Sequence, residues 1–185
     1  MKKLFLIGCL LTINIQATEL KVTTIVEQNR ATIKLFASQL KKVLGKAMKQ
    51  DGPLAAIEVC NVKAPEIAEL MHNQGTPIAR TSLKFRNSSN APDAWETEVL
   101  RKFDKLKVSG TKPKKIEYFE VVTENEKQYL RYMKAIPTGG VCLVCHGENI
   151  APELQKKLTE LYPEDKAKGY SLGDLRGAFT IKTEL

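Results

Sequence analysis

Residues able to hold a transition metal are scarce in this chain: two histidines and four cysteines stand among 185 residues, beside four methionines and one tryptophan. That scarcity argues against several kinds of site. A structural zinc centre wants a second ligand pair at short spacing, and away from residues 142–146 only the isolated Cys60 and His72 are on offer in the mature chain. A thioredoxin-type dithiol belongs in a βαβ context, and no such pattern is present. No apolar run reaches the ~20 residues that cross a bilayer. Internal repeats and low-complexity tracts are absent, and so is any kinase or transmitter domain. Acidic residues are outnumbered, 21 against 29 Lys and Arg, which leaves a net charge of +8.

What the chain does have is Cys142-Leu143-Val144-Cys145-His146. This is C-x-x-C-H, the attachment signature of a c-type haem. Two thiols at this spacing add across the two vinyl groups on one edge of a porphyrin, and the next residue offers an imidazole nitrogen to the iron. A disulfide between Cys142 and Cys145 would close a very tight loop and leave His146 unexplained. One covalent haem c, held by Cys142 and Cys145 with His146 as proximal ligand, is therefore expected.

Such attachment takes place outside the cytoplasm, and the N-terminus reads accordingly. Lys2 and Lys3 form a basic start, residues 4–13 a short apolar run, and Ile15-Gln16-Ala17 a cleavage site before Thr18. Residues 1–17 are thus expected to be a signal peptide and 18–185 a single periplasmic haem-binding domain without a stable membrane anchor. Leu6-Ile7-Gly8-Cys9 also resembles a lipoprotein box, but it leaves almost no apolar segment ahead of the cleaved bond. Cys9 departs with the leader and the haem takes two thiols. Cys60 then stands unpaired in an oxidising compartment.

Apolar residues at 22, 25, 26, 33, 36, 40, 43, 44 and 47, with Asn29 in the same series, predict one long amphipathic helix. The near-heptad spacing admits a homodimer seam, although an intramolecular core face is the simpler reading. Gln50-Asp51-Gly52-Pro53 breaks this helix. A second stretch carries Ile57, Cys60, Ala64, Ile67, Ala68 and Met71 on one face, with Pro65 kinking it or opening a new helix. Residues 75–92 read as an irregular basic connector. A third helix is expected over 93–107, with Trp95, Val99, Leu100, Phe103 and Leu106 facing the core. Residues 116–123 and 127–136 form a predicted hairpin, 152–161 a short helix and 177–183 a closing strand. The class is α+β, helices first and strands later.

A haem iron bound by His146 has a second axial position. Candidates are Cys60, His72, Met48, Met71 and Met133. Cys60 lies on an apolar helix face beside the Pro65 discontinuity, and a small buried hydrophobe explains it equally well. His72 points away from that face, and Met133 has core packing as its ordinary role.

Several segments resemble a known family: Ala56-Ile57-Glu58-Val59-Cys60-Asn61, Ala64-Pro65-Glu66-Ile67-Ala68, Arg80-Thr81-Ser82-Leu83-Lys84, Asn90-Ala91-Pro92-Asp93-Ala94-Trp95-Glu96, Arg131-Tyr132-Met133-Lys134, the haem motif with Gly147, and Gly169-Tyr170-Ser171-Leu172-Gly173-Asp174-Leu175-Arg176. The family is a bacterial single-haem c-type domain that also serves as a sensory ectodomain. The resemblance implies a PAS-like antiparallel sheet flanked by helices, with the haem between His146 and Cys60. Ala135 departs from the pattern, where the family has proline.

A thiolate axial ligand lowers the reduction potential. The expected function is a low-potential His/Cys monohaem cytochrome acting in electron transfer or redox sensing. The alternatives are a gas or redox sensor in which a ligand displaces Cys60, working through a partner, and a peroxidase-type enzyme, for which no distal His and Arg pair is evident. An electron carrier or sensor rather than an enzyme is the expected class. Arg80, Lys84, Arg86, Arg131 and Arg176 are candidate propionate partners, each otherwise a surface charge. The basic residues of 101–115 suit an acidic redox protein, and nucleic acid is not an expected partner of an exported chain.

Overall fold

The apolar stripe of the first helix, α1 (Gly8–Gln50), lies across one face of a β-sheet. The computed structural model describes residues 8–73, 75 and 77–185, with side chains described from Glu19 onward apart from Asn73. Residues 1–7, the basic start and part of the apolar run of the expected leader, lie outside the described residues. Among the described residues no helix is long and apolar enough to cross a membrane.

Four strands form the sheet: β1 (Ile78–Thr81), β2 (Glu117–Glu124), β3 (Lys127–Pro137) and β4 (Leu175–Glu184), in the order β1-β4-β3-β2 with every pair antiparallel. The β2–β3 hairpin closes through Asn125 and Glu126, both at positive φ (50° and 65°), the turn whose twist matches that of the strands. Helix α2 (Gly52–Glu58) runs into a π-helical turn (Val59–Lys63) and then into α3 (Ala64–Asn73). The sheet thus carries helices on both faces, the α+β architecture expected.

Alternation along the strands sorts the core into two layers. Leu130, Tyr132, Phe179 and Ile181 meet Val26, Ile33 and Phe36 of α1 and Ile67 and Met71 of α3. Phe36 and Phe179 meet edge-on with ring centroids 5.6 Å apart. The stripe that admitted a dimer seam is therefore occupied inside the chain. On the opposite face Met133, Ala135 and Ala178 pack against Val99, Leu100 and Phe103 of α4 (Ala94–Val108). Asp93 and Glu96 form a capping box that starts α4 one residue later than expected. Leu106, expected on its buried face, is 43% exposed.

Two sequence expectations are corrected. The connector over residues 75–92 contains β1, whose four residues bury only Ile78 and Thr81 well. So short and half-exposed an edge strand has too little alternation to be read in advance. Pro65 neither kinks one helix nor begins the next. It is the second residue of α3, just past the π-helical turn. Without an N–H it can donate to no carbonyl of the preceding turn, and the wider turn eases the fit of its ring.

Glu117 ties β2 to α1. Its carboxylate accepts hydrogen bonds from Arg30, from the Tyr132 hydroxyl (2.7 Å) and from the Lys134 ammonium (2.9 Å). Burial alone raises the Glu117 pKa, yet the three donors outweigh it and bring the value down to about 2. A depressed carboxylate stabilises the fold above its unfolded pKa of about 4.3 and loses that contribution as pH falls toward 2. We predict that E117Q loses about 2 kcal/mol near neutral pH. The gap from wild type should close between roughly pH 5 and pH 2, as read by urea unfolding across pH. In the other layer F103A should cost about 3–5 kcal/mol, whereas L106A stays below about 1 kcal/mol because its side chain is already half in water.

Candidate functional site

The short helix α5 (Leu143–His146) holds the C-x-x-C-H motif in a turn fixed on three sides. At its start the Cys142 amide donates to the Gly139 carbonyl at 3.0 Å, and at its end Gly147 N–H donates to Leu143 O at 2.9 Å. A Cβ on Gly147 would come within 2.6 Å of that Leu143 oxygen, so only glycine continues the motif here. The segment at 169–170 runs alongside, Gly169 and Tyr170 amides donating to the Gly147 and His146 carbonyls at 3.0 Å each. A small apolar cluster of Ile57, Leu154, Leu158 and Tyr162, with Val144 and Cys145 against it, seats the turn between α2 and α6 (Pro152–Leu161).

Above this turn lies a cavity of about 210 Å³ between the sheet and the C-terminal half of α1. Its walls include Leu40, Leu44, Ile57, Ile136, Leu158 and Phe179, and its polar lining includes Cys60, Cys142, Cys145, His146, Arg80 and Arg176. The π-helical turn brings Cys60 into this space, and the Tyr162 hydroxyl donates to Asn61 Oδ1 at 3.2 Å, tying the same turn to α6. The four residues named from the motif and from cysteine arithmetic, separated by as much as 86 positions in sequence, therefore line one cavity.

The imidazole is prepared as a metal ligand. His146 Nδ1 lies 2.8 Å from the Ala167 carbonyl oxygen, which can only accept, so Nδ1 carries the proton and Nε2 keeps its lone pair. Burial above all, and then the positive charges of Arg176 and Arg86, push the His146 pKa down to about 2. The ring is neutral throughout the physiological range. Tyr170 stands edge-on to it, ring centroids 6.3 Å apart. Burial also raises the Cys60 thiol, against the pull of Arg80, Arg86 and Arg176. Cys145 shifts the same way, with burial again the larger cause and Arg86 opposing.

These donors share a cavity without converging on one point: among the described residues no group of three or more His, Cys, Asp and Glu side chains could hold a bare metal ion.

Of the basic residues named from sequence, Arg80, Arg86 and Arg176 line the cavity. Lys84 donates to the Lys168 carbonyl and sits 4.5 Å over the Tyr170 ring, lining a neighbouring cleft instead. Arg131 is on the other face of the sheet, paired with Asp93 at 2.6 Å and stacked 4.3 Å over Trp95. Its role there is to fasten α4 to β3, and the expectation of a propionate partner gives way to that one. Met48 lines the cavity, whereas Met71 and Met133 are buried in the two core layers and His72 is exposed. Asp165 and Ala167 escaped the sequence reading. The first lies in a loop without a motif, and the second acts through its backbone, which has no signature.

Fold and site together define an α+β domain with a cavity lined by thiols, an imidazole and arginines. The chain belongs to the Tll0287-like family, whose model matches residues 14–183. Among solved structures it is similar to the cyanobacterial haem protein Tll0287, with 21% identity and a TM-score of 0.67, over 87% of this chain and 95% of that one. At that identity the likeness is one of fold. No curated protein matches the chain.

In the cofactor-free chain, Cys60 should react with iodoacetamide at pH 8 about tenfold more slowly when folded than when unfolded in urea. Peptide mass spectrometry after timed quenching measures this. Equal rates would contradict the buried, raised thiol.

Proposed function

We propose that this chain is an exported monohaem c-type cytochrome with a low-potential haem ligated by His146 and Cys60, acting in electron transfer or redox sensing. The observation that carries the reading is the meeting of Cys60, Cys142, Cys145 and His146 in one largely apolar cavity, His146 with a free Nε2. The lack of any bare-ion cluster among the described residues agrees with a group that brings its own equatorial ligands. The haem-protein description of the Tll0287 structure supports the same reading.

In this proposal Cys142 and Cys145 form the thioethers, His146 is the proximal ligand, and Cys60 is the distal ligand, deprotonated when it binds metal. Haem supplies one-electron chemistry, and a thiolate ligand holds its potential low. Arg80 makes no hydrogen bond or ion pair among the described residues and lines the cavity, which suits it to a propionate. Arg176 donates only to the Ser82 hydroxyl and the Lys84 carbonyl, at 3.4 and 3.3 Å, and suits the same role. Export to the periplasm rests on the N-terminal leader pattern. An acidic redox partner would find Arg101, Lys102, Lys105, Lys112, Lys114 and Lys115 exposed on one stretch of chain.

A second reading, sensing through displacement of Cys60, is favoured by one feature. The thiol is carried on a π-helical turn, a wider turn that recurs at functional sites and can return to α-helical geometry. Binding of CO by the ferrous wild type, faster in C60A, supports sensing, and a closed ferrous haem supports electron transfer.

The test is absorption and EPR of the holoprotein under redox titration. Wild type should show a low-spin thiolate-ligated ferric haem. C60A should lose that signature and rise in potential by on the order of 0.1 V, a fraction of the ≈ 0.8 V that axial ligands span, while M48A keeps both. A spectrum unchanged in C60A and altered in M48A would reassign the distal ligand.

A further inference from the structure

Arg86 is 8% exposed and its ion-pair partner Asp165 is 2% exposed at the side chain. The contacts of the pair converge on one residue, Ala167. Arg86 Nε donates to Asp165 Oδ2 at 3.1 Å, and the other carboxylate oxygen accepts the Ala167 N–H at 2.8 Å. Arg86 Nη2 donates to the Cys145 carbonyl at 2.5 Å and reaches the Ala167 carbonyl at 3.3 Å. That Ala167 carbonyl is the one that accepts the His146 Nδ1 proton. The carboxylate thus fixes the peptide before Ala167 through its N–H, and the guanidinium fixes the peptide after it through its carbonyl, together with the backbone of the motif. Lys166 N–H donates to the Phe85 carbonyl at 2.9 Å and keeps the two loops in register.

We infer that Arg86 and Asp165 are positioning residues that aim the Ala167 carbonyl at His146, and so set the tautomer and donor strength of the imidazole toward iron. This rests on the haem reading above. It gives Arg86 a role other than that of a candidate propionate partner, because three of its five N–H donors, on Nε and Nη2, go to Asp165, Cys145 and Ala167. The physical basis is general: a ring N–H given to a carbonyl makes the other nitrogen a stronger base and locks the ring orientation. The carbonyl can do this only while its own peptide is held.

Removing one member of the pair alone would leave a buried uncompensated charge. The informative variant is R86M/D165L, which removes both charges at similar volume. In the ferrous, diamagnetic holoprotein the His146 Nδ1–H is followed by NMR. It should exchange with solvent about tenfold faster in the double variant, the equivalent of one weakened hydrogen bond, and the reduction potential should rise as the imidazole becomes a weaker donor. D165N retains an acceptor for the Ala167 N–H but leaves Arg86 a buried charge without its partner, and should lie between wild type and the double variant. R86K keeps the charge as a single point that cannot serve the carboxylate and both carbonyls at once, and should fall between. That variant decides the matter if the double one does not fold. Wild-type exchange and potential in R86K and in R86M/D165L would overturn the assignment while leaving the haem in place. Absence of covalent haem from the wild type would instead overturn the reading on which it rests.

Discussion

The buried ion pair between Arg86 and Asp165 joins two loops, one following β1 and one preceding β4. Burying two opposite charges costs several kcal/mol per ion before any attraction is counted, and the cost is recovered only when the remaining donors and acceptors are satisfied. Here several are: the guanidinium reaches two carbonyl oxygens besides the carboxylate, and the carboxylate accepts a backbone N–H. The motif turn, the imidazole and the 165–170 loop are consequently one unit. A loop that would ordinarily be among the more mobile parts of a domain becomes part of the wall of the site.

The sheet supplies the opposite wall. Arg80 and Phe179 are partners in the β1–β4 register, so one strand pair delivers a cation and an aromatic ring to the same cavity. Gly177 makes the close approach of β4 to β1 possible: its φ of 150° and the nearness of the Thr81 carbonyl exclude any side chain. The irregularity between Ile136 and Pro137 bends β3 at the same level, just before the chain enters the motif. These backbone adjustments lie at one end of the sheet, beside the cavity.

Much of this was legible in advance because it rests on periodicity. The α1 stripe, the face of α4 through Phe103, the hairpin and the α6 span follow from spacing alone. The C-x-x-C-H spacing is local chemistry and needs no tertiary information. What could not be read was which surface a residue faces once strands pair. Arg131 is the instructive case, since it alternates with Leu130 and Tyr132, and the period of two already puts it on the face opposite to them. Alternation separates the two faces of the sheet but does not say which of them borders the cavity. The π-helical turn at Cys60 was not available, because Pro65 signals a discontinuity but not that the turn before it widens. Nor was the role of Ala167, which works through a carbonyl.

The electrostatics of the cavity bear on what it holds. Three arginines face it, and only Arg86 has a carboxylate partner; Arg176 has neutral oxygens and Arg80 has no partner among the described residues. Burial lowers the affinity of both Arg80 and Arg176 for their protons, opposed at Arg80 by Cys60 and Tyr162 and reinforced at Arg176 by Arg86 and Arg80, and the arginines also contribute to the loss of basicity at His146. Buried positive charge in such excess is unfavourable unless anionic groups enter. A thiolate at Cys60 is one such group, yet burial alone raises that thiol and keeps it protonated. A ligand that carries carboxylates and a metal cation changes both balances together: its carboxylates meet the arginines, and its metal draws the proton from Cys60. In the haem reading proposed above, the uncompensated arginines and the raised thiol, each unfavourable alone, would become complementary once such a group is bound.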